Sequence, residues 1–293
     1  MSVEDVLSRG AHLLTVEVRL LWAVGILYMV AAILSLYGLI TATHRSGRMP
    51  HAILGFTLIL HTGVILLRIF ETGRAPFQTL YESLSWFSFT SAVTYLFVSK
   101  RWRRVGLPCF FVTLIASCAI FYALLGRSPE AKPLSPPLQS WWFEWHVVVA
   151  FSSYAVFVVS SAFEATYLIA KRLLKTRDYA LGLAPEELKP FRTMATKLVI
   201  FGFPMLTFGI FSGAAWANEA WGRYWGWDPK ETWSLITWTV FAMYLHAQSV
   251  PRWRENVAST LNLLGFVCMI MTFLGVNWLS KLLGIPSLHA YAV

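Results

Sequence analysis

Five tryptophans fall within eighteen residues in the stretch Trp216-Ala-Asn-Glu-Ala-Trp221-Gly-Arg-Tyr-Trp225-Gly-Trp227-Asp228-Pro-Lys-Glu-Thr-Trp233. Indole is large, rigid and amphipathic, so such a cluster has two uses. It anchors a chain in the membrane–water interface, where tryptophan is enriched, or it offers stacking area to a flat apolar ligand. Interfacial tryptophans are usually scattered over several helix ends, whereas these crowd one loop. Gly222 and Gly226 leave room there for a planar ligand to approach the backbone. Asp228 reads first as a helix cap, and as a cap it fixes where the indoles point.

Two histidines are candidates for the same chemistry. His146 follows Trp141, Trp142 and Trp145, and His289 stands in Ser287-Leu288-His289-Ala290-Tyr291. Either alone reads as an interfacial side chain. As a pair of neutral imidazoles on one side of a membrane, they could ligate the iron of a haem from opposite faces. His246, in Ala242-Met243-Tyr244-Leu245-His246, lies towards the other side and is a candidate for a second site. His61 and, two turns on, Arg68 lie inside an apolar run and must face a cavity or a partner helix. Haem propionates need cations, and Arg74, Arg223 and Lys230 are the candidates near this face.

The elements that position these residues follow from composition. Hydrophobic residues make up 57% of the chain and charged ones 13%, about half the charge of an ordinary soluble domain. The apolar residues come in runs of about 20, enough to cross a bilayer as helix. We read about eight spans, near 20–43, 52–71, 79–98, 106–125, 145–170, 195–217, 232–250 and 258–280. Lipid offers the backbone no partners, so the runs must be helices. The expected fold is an all-α polytopic membrane protein, a single membrane domain over 1–293 with an external tryptophan-rich loop at 216–233.

The net charge of +9 would fit a nucleic-acid partner, but its placement argues against one. Fifteen basic residues lie in the loops after spans 1, 3, 5 and 7, against eight on the other side. The positive-inside rule puts those loops in the cytoplasm and both termini outside, together with His146, His289 and the tryptophan loop. Residues 1–19 are polar and do not read as a cleavable leader. Cys109, Cys118 and Cys268 sit in apolar runs as packing residues. Thr79…Glu82 and Asp228-Pro229-Lys230-Glu231 both have the spacing of capping boxes, and Ala184-Pro185-Glu186-Glu187 that of a short surface helix. Gly209 and Gly213 are spaced for close helix contact.

The run from Trp221 to Trp233 with Tyr244-Leu245-His246 resembles the tryptophan-rich "WWD" signature of haem-handling membrane proteins. Pro76 with Leu80-Tyr81-Glu82-Ser83, Trp145-His146 and Leu288-His289-Ala290-Tyr291 narrow the resemblance to the CcsA family of cytochrome c biogenesis, over about 76–291. A serine commonly follows the histidine where Ala290 stands here. The resemblance implies that His146 and His289 ligate haem b beneath Trp221, Trp225, Trp227 and Asp228, and that His246 belongs to an inner haem site. It implies a CcsB/ResB-type partner, apocytochrome c as acceptor, and a bacterial plasma membrane or a thylakoid membrane. The activity is then that of a component of a cytochrome c synthase, with no acid–base residue of this chain required. Two rivals remain from the residues alone: a cytochrome b-like electron-transfer subunit, which would bury paired histidines within spans, and a membrane scaffold that binds no haem.

Overall fold

The structure, a computed structural model, describes residues 3–41, 48–101, 106–130, 136–176, 180–181 and 183–284. Its helices are α1 (Val3–Thr41), α2 (Arg48–Thr72), α3 (Leu80–Val98), α4 (Gly106–Gly126), α5 (Trp141–Leu173), α6 (Leu188–Trp221), α7 (Pro229–Ser249), α8 (Asn256–Ile270) and α9 (Val276–Leu283). A π-helical turn, Met271–Gly275, makes α8 and α9 one continuous rod. Among the described residues no strand forms beyond a bridge between Ala180 and Leu183. The expected short helix is a 3₁₀ turn, Pro185–Glu187.

Six helical segments are both long and apolar enough to cross a membrane: Thr15–Thr41, Arg48–Thr72, Gly106–Gly126, Trp141–Leu173, Pro185–Trp221 and Asn256–Ser280. The other two long helices, α3 and α7, have 19 and 21 residues. At 1.5 Å per residue they reach about 28 and 31 Å, the thickness of a bilayer core. Their polarity is directed inward. Ser83, Ser85, Ser88 and Ser91 of α3 are all buried, and Ser88 Oγ donates to the carbonyls of Leu84 and Ala116. The chain is an all-α, multi-pass membrane protein. Helices α5 and α6 run several residues past the expected spans at both ends.

The helices form two compact units, residues 1–133 and 134–293. In the first, α1 packs on α2 and α4, and α3 packs on α4. Leu21, Val24, Tyr28, Ala31, Ala32 and Ser35 of α1 face inward, while Ile26, Ile33 and Ile40, seven apart, are exposed. A helix apolar on every face is one that meets lipid outside and protein inside. His61 lies buried at the centre of this unit, with Nδ1 3.1 Å from the Tyr28 hydroxyl and Nε2 2.9 Å from Ser85 Oγ. Both ring nitrogens are thereby engaged, and the imidazole serves packing.

At one end of the unit Glu82 closes a denser network. Its carboxylate accepts from Arg68 Nε and Nη2, from Arg74 Nη1 and Nη2, and from the backbone N–H groups of Gln78 and Thr79. The last belongs to the capping box that Thr79 forms at α3, as its spacing predicts. In the second unit α5 packs along α6, α7 on α8, and α5 on α8. Phe157 and Phe241 stack at 3.9 Å in its core.

Candidate functional site

Ser140 caps α5, accepting from Trp142 N–H at 3.2 Å, and its hydroxyl donates to Glu219 Oε2 of α6 at 2.7 Å. The start of α5 is thus tied to the end of α6. Trp216, one turn earlier on α6, is buried and donates its indole N–H to the Pro137 carbonyl at 2.7 Å. Phe143 and Trp221 close on it with ring centroids at 5.1 and 5.0 Å.

Against this fixed indole lies His146. Its ring is parallel to Trp216 within 17°, centroids 5.9 Å apart, and its Nδ1 is 2.8 Å from the Gly209 carbonyl oxygen. A carbonyl only accepts, so Nδ1 carries a proton, and in the neutral ring Nε2 is then the nitrogen with the lone pair. That is the tautomer and the support a metal-ligating histidine requires. The glycine spacing in α6 supplies the room. A Cβ on Gly213 would stand 2.8 Å from the His146 ring, and one on Gly209 would touch Ala150 at 3.6 Å. The glycines are spaced for close contact, and what Gly213 admits is an imidazole.

The tryptophan loop is held by its own caps. Gly222 ends α6 in the left-handed conformation (φ 71°), its N–H bonded to the Asn218 carbonyl. Asp228 caps α7, accepting from Lys230 N–H at 2.9 Å. Glu231 answers by accepting from the N–H groups of Asp228 and Gly226, at 3.0 and 2.8 Å. The capping box stands as its spacing predicts, and its glutamate also pins the loop two residues further back. Between these anchors Trp227 has φ 55°, a strained backbone for a bulky residue. Its indole is 69% exposed, and Trp225 meets it edge-on at 5.8 Å.

Some expectations change. Gly226 does not open the backbone to a planar ligand, because Arg223 fills that space, with Nε 2.9 Å from where a Cβ would be. Arg74 belongs to the first unit and is bound to Glu82. His246, seventeen residues beyond the start of α7, is about 25 Å from its cap, exposed and edge-on to Trp253 at 6.0 Å. It belongs to a separate place. His289 lies outside the described residues. Sequence reasoning passed over Ser140, Glu219, Gly209 and Pro137 as supports; only the glycine spacing hinted at them.

Near the far end of α5 and α6 lies a second polar cluster. Glu164 is buried, hydrogen-bonded to Ser259 Oγ, while its Oε2 has no partner. Arg192 Nε and Nη2, Gln248 Nε2 and Asn262 Oδ1 are also buried without partners. Lys171 and Arg192 both lie over the Tyr167 ring, at 5.6 and 5.8 Å.

The fold and this site define a multi-pass helical membrane protein with an imidazole held between a carbonyl and an indole, beside an exposed tryptophan loop. The family model described as Cytochrome C assembly protein matches residues 77–283. The chain is similar to CcsA cytochrome c biogenesis proteins: 33% identical to that of Chlamydomonas reinhardtii, covering 84% of this chain and 69% of the relative. It is 36% identical to that of Guillardia theta, covering 82% of each. A solved structure, Cytochrome c Heme Lyase CcmF, superposes with a TM-score of 0.67 at 18% identity. The superposition covers 91% of this chain and 46% of that one, so the chain spans about half of the lyase structure and shares its fold. The chain belongs to the cytochrome c assembly family, in the CcsA group of cytochrome c biogenesis proteins.

Proposed function

We propose that this chain presents haem b to apocytochrome c on the outer side of the membrane, as a component of a cytochrome c synthase. The observation that carries the reading is His146, whose ring is stacked on Trp216 and whose Nδ1 lies 2.8 Å from the Gly209 carbonyl oxygen, the support a metal-ligating histidine requires. Buried polar atoms at the same end of the unit, Asn277 Oδ1 and Ser280 Oγ, have no partner and fit a ligand with polar edges.

In this reading both termini and the tryptophan loop face outward, and His289 supplies the opposing ligand. His246 serves an inner site completed by a CcsB/ResB-type partner, and the exposure of its side chain suits a ligand presented to another protein. The membrane is the bacterial plasma membrane, or a thylakoid membrane if the chain is plastid. Haem supplies two vinyl groups, each of which takes a thiol of a Cys-x-x-Cys-His segment, sulfur to one carbon and hydrogen to the other, with no net redox change.

The residues of this chain act by positioning. Trp216, Phe143 and Trp221 keep the imidazole ring from rotating, Gly209 fixes its proton, and the Asp228–Glu231 box aims Trp225 and Trp227. The test is absorbance of the purified His146→Gly, His289→Gly and His246→Gly variants, with and without imidazole. Altered axial ligation restored by imidazole supports the assignment; an unchanged Soret band in all three refutes it.

A further inference from the structure

Of the three candidate cations, Lys230 stands at the start of α7, in the second unit. Arg74 is bound to Glu82 and Arg223 covers Gly226, whereas Lys230 has no ion-pair or hydrogen-bond partner for its ammonium among the described residues. Asn277 and Ser280, on α9, are 7% and 8% exposed, and Asn277 Oδ1 and Ser280 Oγ have no partner. They are three apart, hence on one face of the helix. That helix follows a π-helical turn, a feature often found at functional sites.

Contacts lower down fix the heights of these groups. Thr237 of α7 meets Thr272 at 3.0 Å, and Phe151 of α5 meets Phe273 at 5.1 Å, edge to face. From the first contact Lys230 lies seven residues, about 10 Å, towards the loop end, and Ser280 eight residues, about 12 Å. From the second, His146 lies about 7.5 Å, Asn277 about 6 Å and Ser280 about 10 Å in the same direction. α9 packs on α7, so the lysine stands at about the height of the amide and the hydroxyl on a neighbouring helix, near the level of His146. Buried polar atoms left unmatched are costly unless a ligand completes them, and the half-buried ammonium of Lys230 at the same height would favour an anionic one.

We propose that Lys230, Asn277 and Ser280 form a carboxylate-binding corner of this site, which takes one propionate of the haem whose iron His146 ligates. The proposal rests on the function argued above. Lys230 and Ser280 supply N–H and O–H donors, and the Asn277 oxygen is an acceptor that directs the ammonium towards it. The corner fixes which edge of the macrocycle faces outward, and so which vinyl groups meet the incoming thiols. Burial also pulls the Lys230 ammonium down to about 8, against the opposing influence of Asp228.

The test is a titration of the full chain, purified in lipid-free detergent, with ferric haem and with its dimethyl ester. The readout is the Soret contribution that depends on His146. The unaltered protein should prefer haem over the diester by about tenfold or more, as charge-assisted hydrogen bonds would give. Lys230→Gln and Ser280→Ala should each bring the two ligands closer, chiefly by weakening haem, and Lys230→Arg should retain most of the preference. Equal affinity for haem and diester in the unaltered protein overturns the proposal, as does a preference that survives in Lys230→Gln. Loss of the preference when phosphatidylglycerol is added assigns the corner to a lipid phosphate and also overturns it. A His146→Gly protein with an unchanged spectrum is a different failure, that of the haem reading itself.

Discussion

The imidazole of His146 occupies the space that a side chain on Gly213 would fill, with ring atoms 2.8 Å from the position of a Cβ. Any residue but glycine must therefore displace the ring and break its bond to the Gly209 carbonyl. Gly213→Ala should alter the axial ligation of bound haem much as His146→Gly does, with partial recovery on adding imidazole. Gly209→Ala, whose Cβ meets Ala150 at 3.6 Å, an ordinary contact, should leave the spectrum nearly unchanged. Two alanine variants with the same spectrum would show that the imidazole is not held as described.

Trp227 combines a left-handed backbone with an exposed indole. Glycine adopts that backbone freely, so Trp227→Gly relieves strain worth about 1–3 kcal/mol. If the residue is there to meet a ligand, the variant should resist protease cleavage in the 222–228 loop at least as well as the unaltered protein, yet bind haem less tightly. Unchanged haem affinity would make Trp227 an interfacial anchor and nothing more.

Glu82 should be among the least replaceable residues of the first unit. Its side chain is wholly buried and neutralises Arg68 and Arg74, whose side chains are 3% and 13% exposed. Removing one partner from a buried ion network costs about 3–5 kcal/mol. Glu82→Gln should lower the thermal midpoint in detergent by far more than Arg74→Ala, whose side chain lies nearer the surface. A similar small drop for both would mean that water, and not Glu82, balances the arginines.

Both capping boxes, the helical spans and the grouping of His146 with the tryptophan stretch could be read directly, because each depends on spacing along one helix or its ends. The supports of the site could not. Gly209 acts through a carbonyl that every residue possesses, and Pro137 through another, so neither side chain announces its part. Arg74 and Lys230 looked alike as surface cations. Only tertiary structure assigns one to Glu82 and leaves the other unpaired, since residue type fixes a charge but not its partner. Gly226 misled for a related reason: open space beside a glycine is also space for a neighbouring arginine.

The state of Lys230 can be followed by pH. Burial lowers its value from 10.5 to about 8, so between those limits the folded protein binds fewer protons than the unfolded chain. Stability then rises with pH from about 8 and levels off near 10.5, because the cost of a buried, uncompensated ammonium is present below pH 8 and disappears as the proton leaves. The gain should be about 3 kcal/mol at most, read as the difference in thermal midpoint between the unaltered protein and Lys230→Met, whose stability lacks this contribution. A carboxylate bound at Lys230 would raise its value again. With haem present the rise should therefore shrink or move to higher pH, while the diester should leave it as in the haem-free protein. If haem and diester shift the profile equally, the ammonium senses the macrocycle and not its propionate. If Lys230→Met shows the same rise as the unaltered protein, another group is responsible and Lys230 is already paired.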